Sequence, residues 1–184
     1  MLFSWGDILM SESSKKEVWS WIKAIVLGVA IVFICREFIL APVKVEGKSM
    51  MPTFEDNNRI IVSKMSKVER FDLIVFHSPV SNEDYIKRVI GLPGDIVEVK
   101  NDVLHINNII YEEPYLQENN KMLSTQDQLT NDLKVTVPEG SFYVMGDNRK
   151  KSSDSREIGF ITEDAVVGEV KFRFFPFTDF GTLE

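Results

Sequence analysis

A serine hydroxyl becomes a competent nucleophile only with a base beside it, and the side chains able to serve are His, an uncharged Lys, or Asp/Glu. Ser49 lies in Gly47-Lys48-Ser49-Met50-Met51-Pro52-Thr53-Phe54, after an alternating stretch that sets Val43 and Val45 on one face. The proline then stops further strand pairing, which offers Ser49 at a strand-to-turn junction. Gly47 lets another backbone come close, as a docked peptide requires. Taken alone, a serine at a turn is a structural residue, so this motif needs a partner. His77 ends an apolar strand and His105 sits inside a hairpin pattern, so both read as surface or turn histidines. Lys87 is more unusual, because Tyr85-Ile86-Lys87-Arg88-Val89-Ile90 carries two adjacent cations inside a strand. Alternation sends them to opposite faces and gives Lys87 the face of Tyr85 and Val89. If that face is buried, the ammonium must be paired or lose its proton. Desolvation draws a lysine pKa from about 10.4 towards neutrality, as a general base requires. An exposed cation on a sheet face is the alternative for Lys87 read alone.

A third cluster, Gly146-Asp147-Asn148-Arg149-Lys150-Lys151-Ser152-Ser153-Asp154-Ser155-Arg156, comes after the apolar stretch Phe142 to Met145. Its charges suit a rigid hydrogen-bonded loop in which Asp154 pairs with Arg156 and Asp147 neutralises a cation such as Arg88. Asp147, Asn148 and Asp154 lack the regular spacing of a calcium loop, and Cys35 is the lone cysteine, so no metal or other cofactor is implied.

These residues need a frame. From Val18 to Leu40 the sequence is apolar, unbroken from Ala24 to Cys35 and flanked by Lys23 and Arg36-Glu37. As a helix it is long enough to cross a hydrocarbon core of about 30 Å. A cleavable leader fits poorly, because Arg36 and Glu37 interrupt the segment and Pro42 would come directly after the scissile bond at Ala41. An uncleaved anchor with its amino terminus inside the cell is expected. Beyond it the period drops to about two, in short apolar runs: Val43 to Val45, Ile60 to Val62, Leu73 to Phe76, Tyr85 to Ile90, Ile96 to Val99 and Val103 to Ile106. Ile109 to Tyr111, Val135 to Val137, Phe142 to Val144 and Val166 to Phe175 continue the pattern. Leu92-Pro93-Gly94-Asp95, Asn101-Asp102, Asn107-Asn108 and Pro138-Glu139-Gly140 reverse the chain between them. Residues 112 to 134 are polar and read as an excursion outside the core.

The expected fold is all-β, a mostly antiparallel, barrel-like body with a small β insertion, preceded by one transmembrane helix. Its divisions are a cytoplasmic tail at 1–17, the anchor at 18–41, and a body at 42–184 with an inserted lobe at about 96–140. The chain of 184 residues carries a formal charge of −7, all of it after residue 41, and no Lys/Arg cluster. That balance argues against a nucleic-acid partner.

Taken together, SMMPTF (Ser49 to Phe54), FDLIVF (Phe71 to Phe76), YIKRVIGLPGD (Tyr85 to Asp95) and GDNRKKSSDSR (Gly146 to Arg156) resemble bacterial type I signal peptidases in the short Gram-positive form. The resemblance runs from about residue 18 to residue 175 and includes the single anchor. It implies a Ser-Lys dyad, with Ser49 as nucleophile and Lys87 as general base. By the same resemblance Ser152 orients the lysine, and Asp154, Arg156, Asp147 and Arg88 hold the site in shape. Val43, Val45, Met50, Tyr85 and Ile86 form shallow pocket walls for small side chains. The Ser49 N–H serves the oxyanion, while Gly47 stands where some relatives add a serine hydroxyl. The implied partners are signal-peptide-bearing preproteins and the lipid bilayer, with a monomeric enzyme whose catalytic body faces the extracytoplasmic side of the cell membrane. Phe71 replaces a glycine common among relatives and implies a changed turn. Two rivals remain: a self-cleaving repressor-type Ser-Lys protease, whose DNA-binding module is here replaced by an apolar helix, and an inactive membrane-tethered binding domain.

Overall fold

The computed structural model describes residues 12–121 and 127–182. The chain divides into two compact units, residues 1–39 and 40–184. The first carries α1 (Glu12–Phe38). Its segment Lys16–Phe38, 23 residues, is long and apolar enough to cross a membrane. Arg36 in its last turn suits the negative end of the helix dipole. Residues 1–11 of the expected cytoplasmic tail lie outside the described residues.

The second unit contains β1 (Leu40–Lys44), β2 (Arg59–Ser63), β3 (Leu73–His77), β4 (Asp84–Gly91), β5 (Ile96–Lys100), β6 (Val103–Ile106), β7 (Ile109–Tyr111), α2 (Gln117–Lys121), β8 (Leu133–Thr136), β9 (Ser141–Met145), α3 (Ser155–Ile158), β10 (Ile161–Thr162), β11 (Val166–Phe175) and β12 (Gly181–Thr182). A large sheet runs β1-β2-β11-β3-β4-β9-β10, with β12 added on β11, and a smaller one runs β7-β6-β5-β8. Every described pairing in them is antiparallel. The large sheet ends at β1 on one side and β10 on the other, so the body is open where a barrel-like closure was expected.

Alternation explains why this sheet is buried on both faces. In β3, Leu73 and Val75 join a core with Val45, Met50, Phe54, Ile60 and Ile86, whereas Ile74 and Phe76 join another with Val89, Phe142 and Val144. The third core lies between the sheets, where Ile90, Tyr143 and Met145 of the large sheet meet Val97, Val99, Leu104 and Ile106 of the small one. Burying each such side chain is worth about 1.5–3 kcal/mol. Gly91 marks the close approach: a Cβ there would lie 2.6 Å from a methyl of Val97 and 2.7 Å from one of Val137.

The segment 112–134 departs from its expected role. It is polar on the outside, yet Leu116, Leu129 and Thr130 are buried, and β8 begins inside it at Leu133. The chain from Gln117 to Lys121 is a short helix that few β-branched residues oppose. Phe71 takes φ 71°, the left-handed region that favours glycine, while its ring packs against Tyr111 and Tyr115 at 5.7 and 6.4 Å.

Candidate active site

Ser49 is fixed by the loop between β1 and β2 and by the core beneath that loop. Val45 N–H donates to Asn58 O at 2.8 Å, and Asn57 N–H donates back to Val45 O at 2.9 Å, tying the two ends of the loop together. At Gly47 φ is 86°, and its N–H donates to Asp56 Oδ1 at 2.9 Å. The turn is then pinned from beneath, because Met50 and Phe54 are buried in the core and Phe54 N–H donates to Met50 O at 2.9 Å. Ser49 is left at the surface of that plug, half-buried.

Lys87 reaches it from β4. Its side chain is buried, with Nζ 3.0 Å from Ser49 Oγ, 2.9 Å from Ile86 O and 5.1 Å from the centre of the Tyr85 ring. Burial strips the ammonium of water and lowers its pKa to about 8, against the pull of the Asp154 and Asp147 carboxylates, which raise it. A charged amine donates to both oxygens; the uncharged amine presents a lone pair that accepts from the Ser49 hydroxyl.

The acidic and basic residues around the pair neutralise each other. Arg88 grips Asp147 with two bonds, Nε to Oδ1 at 2.9 Å and Nη2 to Oδ2 at 2.7 Å, and its third nitrogen donates to Phe71 O. Asp154 accepts from Arg156 Nε at 2.7 Å and Nη2 at 2.8 Å and from Gly146 N–H at 2.9 Å. Burial opposes ionisation of Asp154, but the Arg156 bonds and charge, Gly146 N–H and the Ser152 hydroxyl outweigh it and hold its pKa below the usual carboxylate range. Ser152 itself is buried beside Asp154, and its hydroxyl completes no well-formed hydrogen bond among the described residues. The donors of Lys87 face Ser49 and Ile86, not Ser152. Ser152 nonetheless packs near Ser49, because a Cβ on Gly146 would lie 2.2 Å from Ser152 Oγ and 2.5 Å from Ser49 O.

A groove of about 540 Å³ runs past Ser49 and Lys87, walled by Val43, Val45, Tyr85 and Ile86 and rimmed by Lys44, Glu46, Glu83 and Asp84. Met50, expected among the pocket walls, is not one of its lining residues; its side chain turns inward to the core that pins the Ser49 turn. His77 pairs with Asp84 at an exposed edge, and His105 is bonded to Val103 O, so neither histidine meets Ser49.

Sequence reasoning missed several supporting residues. Thr53 Oγ1 donates to Asp147 Oδ2, Asn148 N–H donates to Ser49 O at 3.0 Å, and Asn148 Nδ2 donates to Lys48 O at 3.0 Å. Arg149 is buried against Glu113 and Thr130. A buried arginine must find a carboxylate, but the burial of Arg149 that calls for Glu113 is set by the fold and leaves no mark in the sequence.

The sequence model of the family described as "Signal peptidase, peptidase S26" matches residues 18–175. The chain belongs to this family. It is 42% identical over 181 residues to signal peptidase IB of Staphylococcus aureus (strain COL), covering 90% of this chain and 94% of the relative. It is 45% identical over 168 residues to signal peptidase I of Bacillus amyloliquefaciens, covering 88% and 87%. A crystal structure of a signal peptidase I from Enterococcus faecalis V583 superposes with TM-score 0.55 at 40% identity, over 56% of this chain and 97% of that one. The mostly antiparallel architecture of this S26 chain is thus that of a signal peptidase, and its apolar α1 is consistent with membrane anchoring.

Proposed function

We propose that this chain is a membrane-anchored serine endopeptidase that removes signal peptides from exported preproteins, cutting after small residues, with Ser49 as nucleophile and Lys87 as general base. The observation that carries the reading is the 3.0 Å contact between Lys87 Nζ and Ser49 Oγ, made by a lysine whose burial lowers its pKa to about 8. An amine held in that state is uncharged in a usable fraction near neutral pH and needs no histidine.

In the first step, the Lys87 lone pair takes the Ser49 proton as Oγ bonds to the scissile carbonyl carbon. The resulting oxyanion faces the Ser49 N–H, which donates to no acceptor among the described residues. Lys87 then returns the proton to the leaving amine, the C–N bond breaks, and an acyl-enzyme on Ser49 remains. Water attacks its carbonyl carbon and gives a proton to Lys87; the bond from that carbon to Ser49 Oγ then breaks as Lys87 returns the proton to Oγ, releasing the signal peptide's new carboxyl terminus and restoring the serine hydroxyl. Val43, Val45, Tyr85 and Ile86 line the groove with short apolar walls that suit alanine-like side chains. Asp154 with Arg156 and Asp147 with Arg88 set the electrostatic frame, and Ser152 packs beside the dyad.

The α1 segment supplies the anchor in this reading, with residues 1–17 on the cytoplasmic side, residues 42–184 forming the catalytic body on the extracytoplasmic side, and a monomer as the working unit. Tethering enzyme and preprotein in one bilayer raises their effective concentration and fixes the height of the cut. The test is cleavage of a preprotein by the detergent-solubilised protein and by Ser49→Ala and Lys87→Ala. Wild type is expected to cut after a small residue and both folded variants to be silent; normal cutting by Lys87→Ala removes the base assignment.

A further inference from the structure

The nucleophile and its lysine come from different parts of the chain, and a closed ring of contacts holds them in register. Ser49 touches Lys87, Lys87 is the neighbour of Arg88 in β4, Arg88 grips Asp147, and Asp147 belongs to the loop after β9. Thr53 Oγ1 to Asp147 Oδ2 and Asn148 N–H to Ser49 O close the ring, and a further tie across it comes from Asn119, a half-buried residue of α2. Its Nδ2 donates to Asp147 O at 2.8 Å and to Met51 O at 3.1 Å, the latter in the turn that carries Ser49. An amide nitrogen can face two carbonyls at once, because it brings two hydrogens and presents no acceptor lone pair that repels them. The segment that presents Asn119 is itself braced: the Tyr115 ring lies 3.9 Å from the Arg88 guanidinium, Leu116 is buried, and Glu113 pairs with Arg149.

We propose that Asn119 is a positioning residue for the Ser49–Lys87 pair, a bridge from the inserted segment that sets the distance between the nucleophile's turn and the loop anchored to β4. The inference rests on the dyad reading and extends it to a residue that touches neither reacting atom. Asn119 does not line the groove past Ser49, so its loss should leave substrate binding largely intact while disturbing the attack geometry.

The experiment compares wild type, Asn119→Asp and Asn119→Ala as full chains in detergent micelles, with kcat and KM measured on a preprotein and the folded fraction read by circular dichroism. Asn119→Asp keeps the shape but turns oxygens towards both carbonyls; Asn119→Ala removes the donors without that repulsion. A displacement of about 1 Å at a reacting pair costs about 100-fold. A fall in kcat per folded molecule of about 10-fold or more is therefore expected for the aspartate and a smaller fall for the alanine, with KM little changed. Wild-type kcat in both variants overturns the proposal. So does a loss of activity that merely tracks the folded fraction, complete unfolding included, since the residue would then serve the fold and not the site. Ser49→Ala and Lys87→Ala assayed alongside separate the two ideas: if both are silent while Asn119→Asp is fully active, the positioning role fails and the dyad stands; if either cuts, the dyad reading itself fails.

Discussion

Replacing Lys87 with methionine isolates the energetic cost of the buried amine. The pKa of Lys87 falls from its ordinary 10.5 to about 8 on folding, chiefly through burial. A displacement of that size corresponds to about 3 kcal/mol of strain on the protonated folded state. Below pH 8 the amine is charged in both states and the folded form carries the whole cost. Between pH 8 and 10.5 the unfolded chain binds more protons than the folded one, so wild-type stability rises with pH across that window, and the cost is gone above it. Methionine keeps an unbranched side chain, one atom shorter, without the charge, but it forfeits the bond to Ile86 O, worth about 1 kcal/mol, and the contact with Ser49 Oγ. Lys87→Met is therefore expected to be inactive yet more stable than wild type by about 1–2 kcal/mol at pH 7, with the advantage shrinking to zero or reversing by pH 10.5. The assay is thermal unfolding of both proteins in one detergent from pH 7 to 11, where about 2–4 °C separates the midpoints per kcal/mol. Other titrating groups cancel in the difference. Wild-type activity supplies a parallel readout: with a pKa of about 8, the uncharged fraction rises about tenfold from pH 7 to 9, and kcat/KM should rise with it. A stability difference that ignores pH between 8 and 10.5 would refute the reasoning.

Two further outcomes test the frame around the site. Glu113→Gln leaves the buried Arg149 without its counter-charge and should cost about 3–5 kcal/mol in urea unfolding, a loss that combining it with Arg149→Met should largely recover. Gly146→Ala puts a Cβ 2.5 Å from Ser49 O and 2.2 Å from Ser152 Oγ; a stability loss of about 1–3 kcal/mol together with a drop in kcat is expected, and an active, unperturbed alanine variant would show that the loop yields freely.

The features legible in the sequence were local. Period-two runs located β2 to β9 and β11, though not the two-residue β10, because burial on alternate faces writes itself into neighbouring residues, and the apolar stretch of α1 announced its own length. The four boxes around Ser49, Phe71, Lys87 and Gly146 pointed to the family because chemistry demands those residue types at those places. Folding alone decided the rest. Whether Lys87 is an exposed cation or a depressed base depends on which atoms cover it, and those come from turns and strands far along the chain. Met50 looks like a pocket wall beside Ser49, but the turn's path sends it into the core. Asn119 and Glu113 lie in a stretch whose polarity reads as solvent-facing, yet Asn119 bonds to Met51 O and Asp147 O and Glu113 pairs with the buried Arg149. Hydrogen bonds and ion pairs between distant segments have no period, so nothing in the local pattern records them until the backbone brings the partners together.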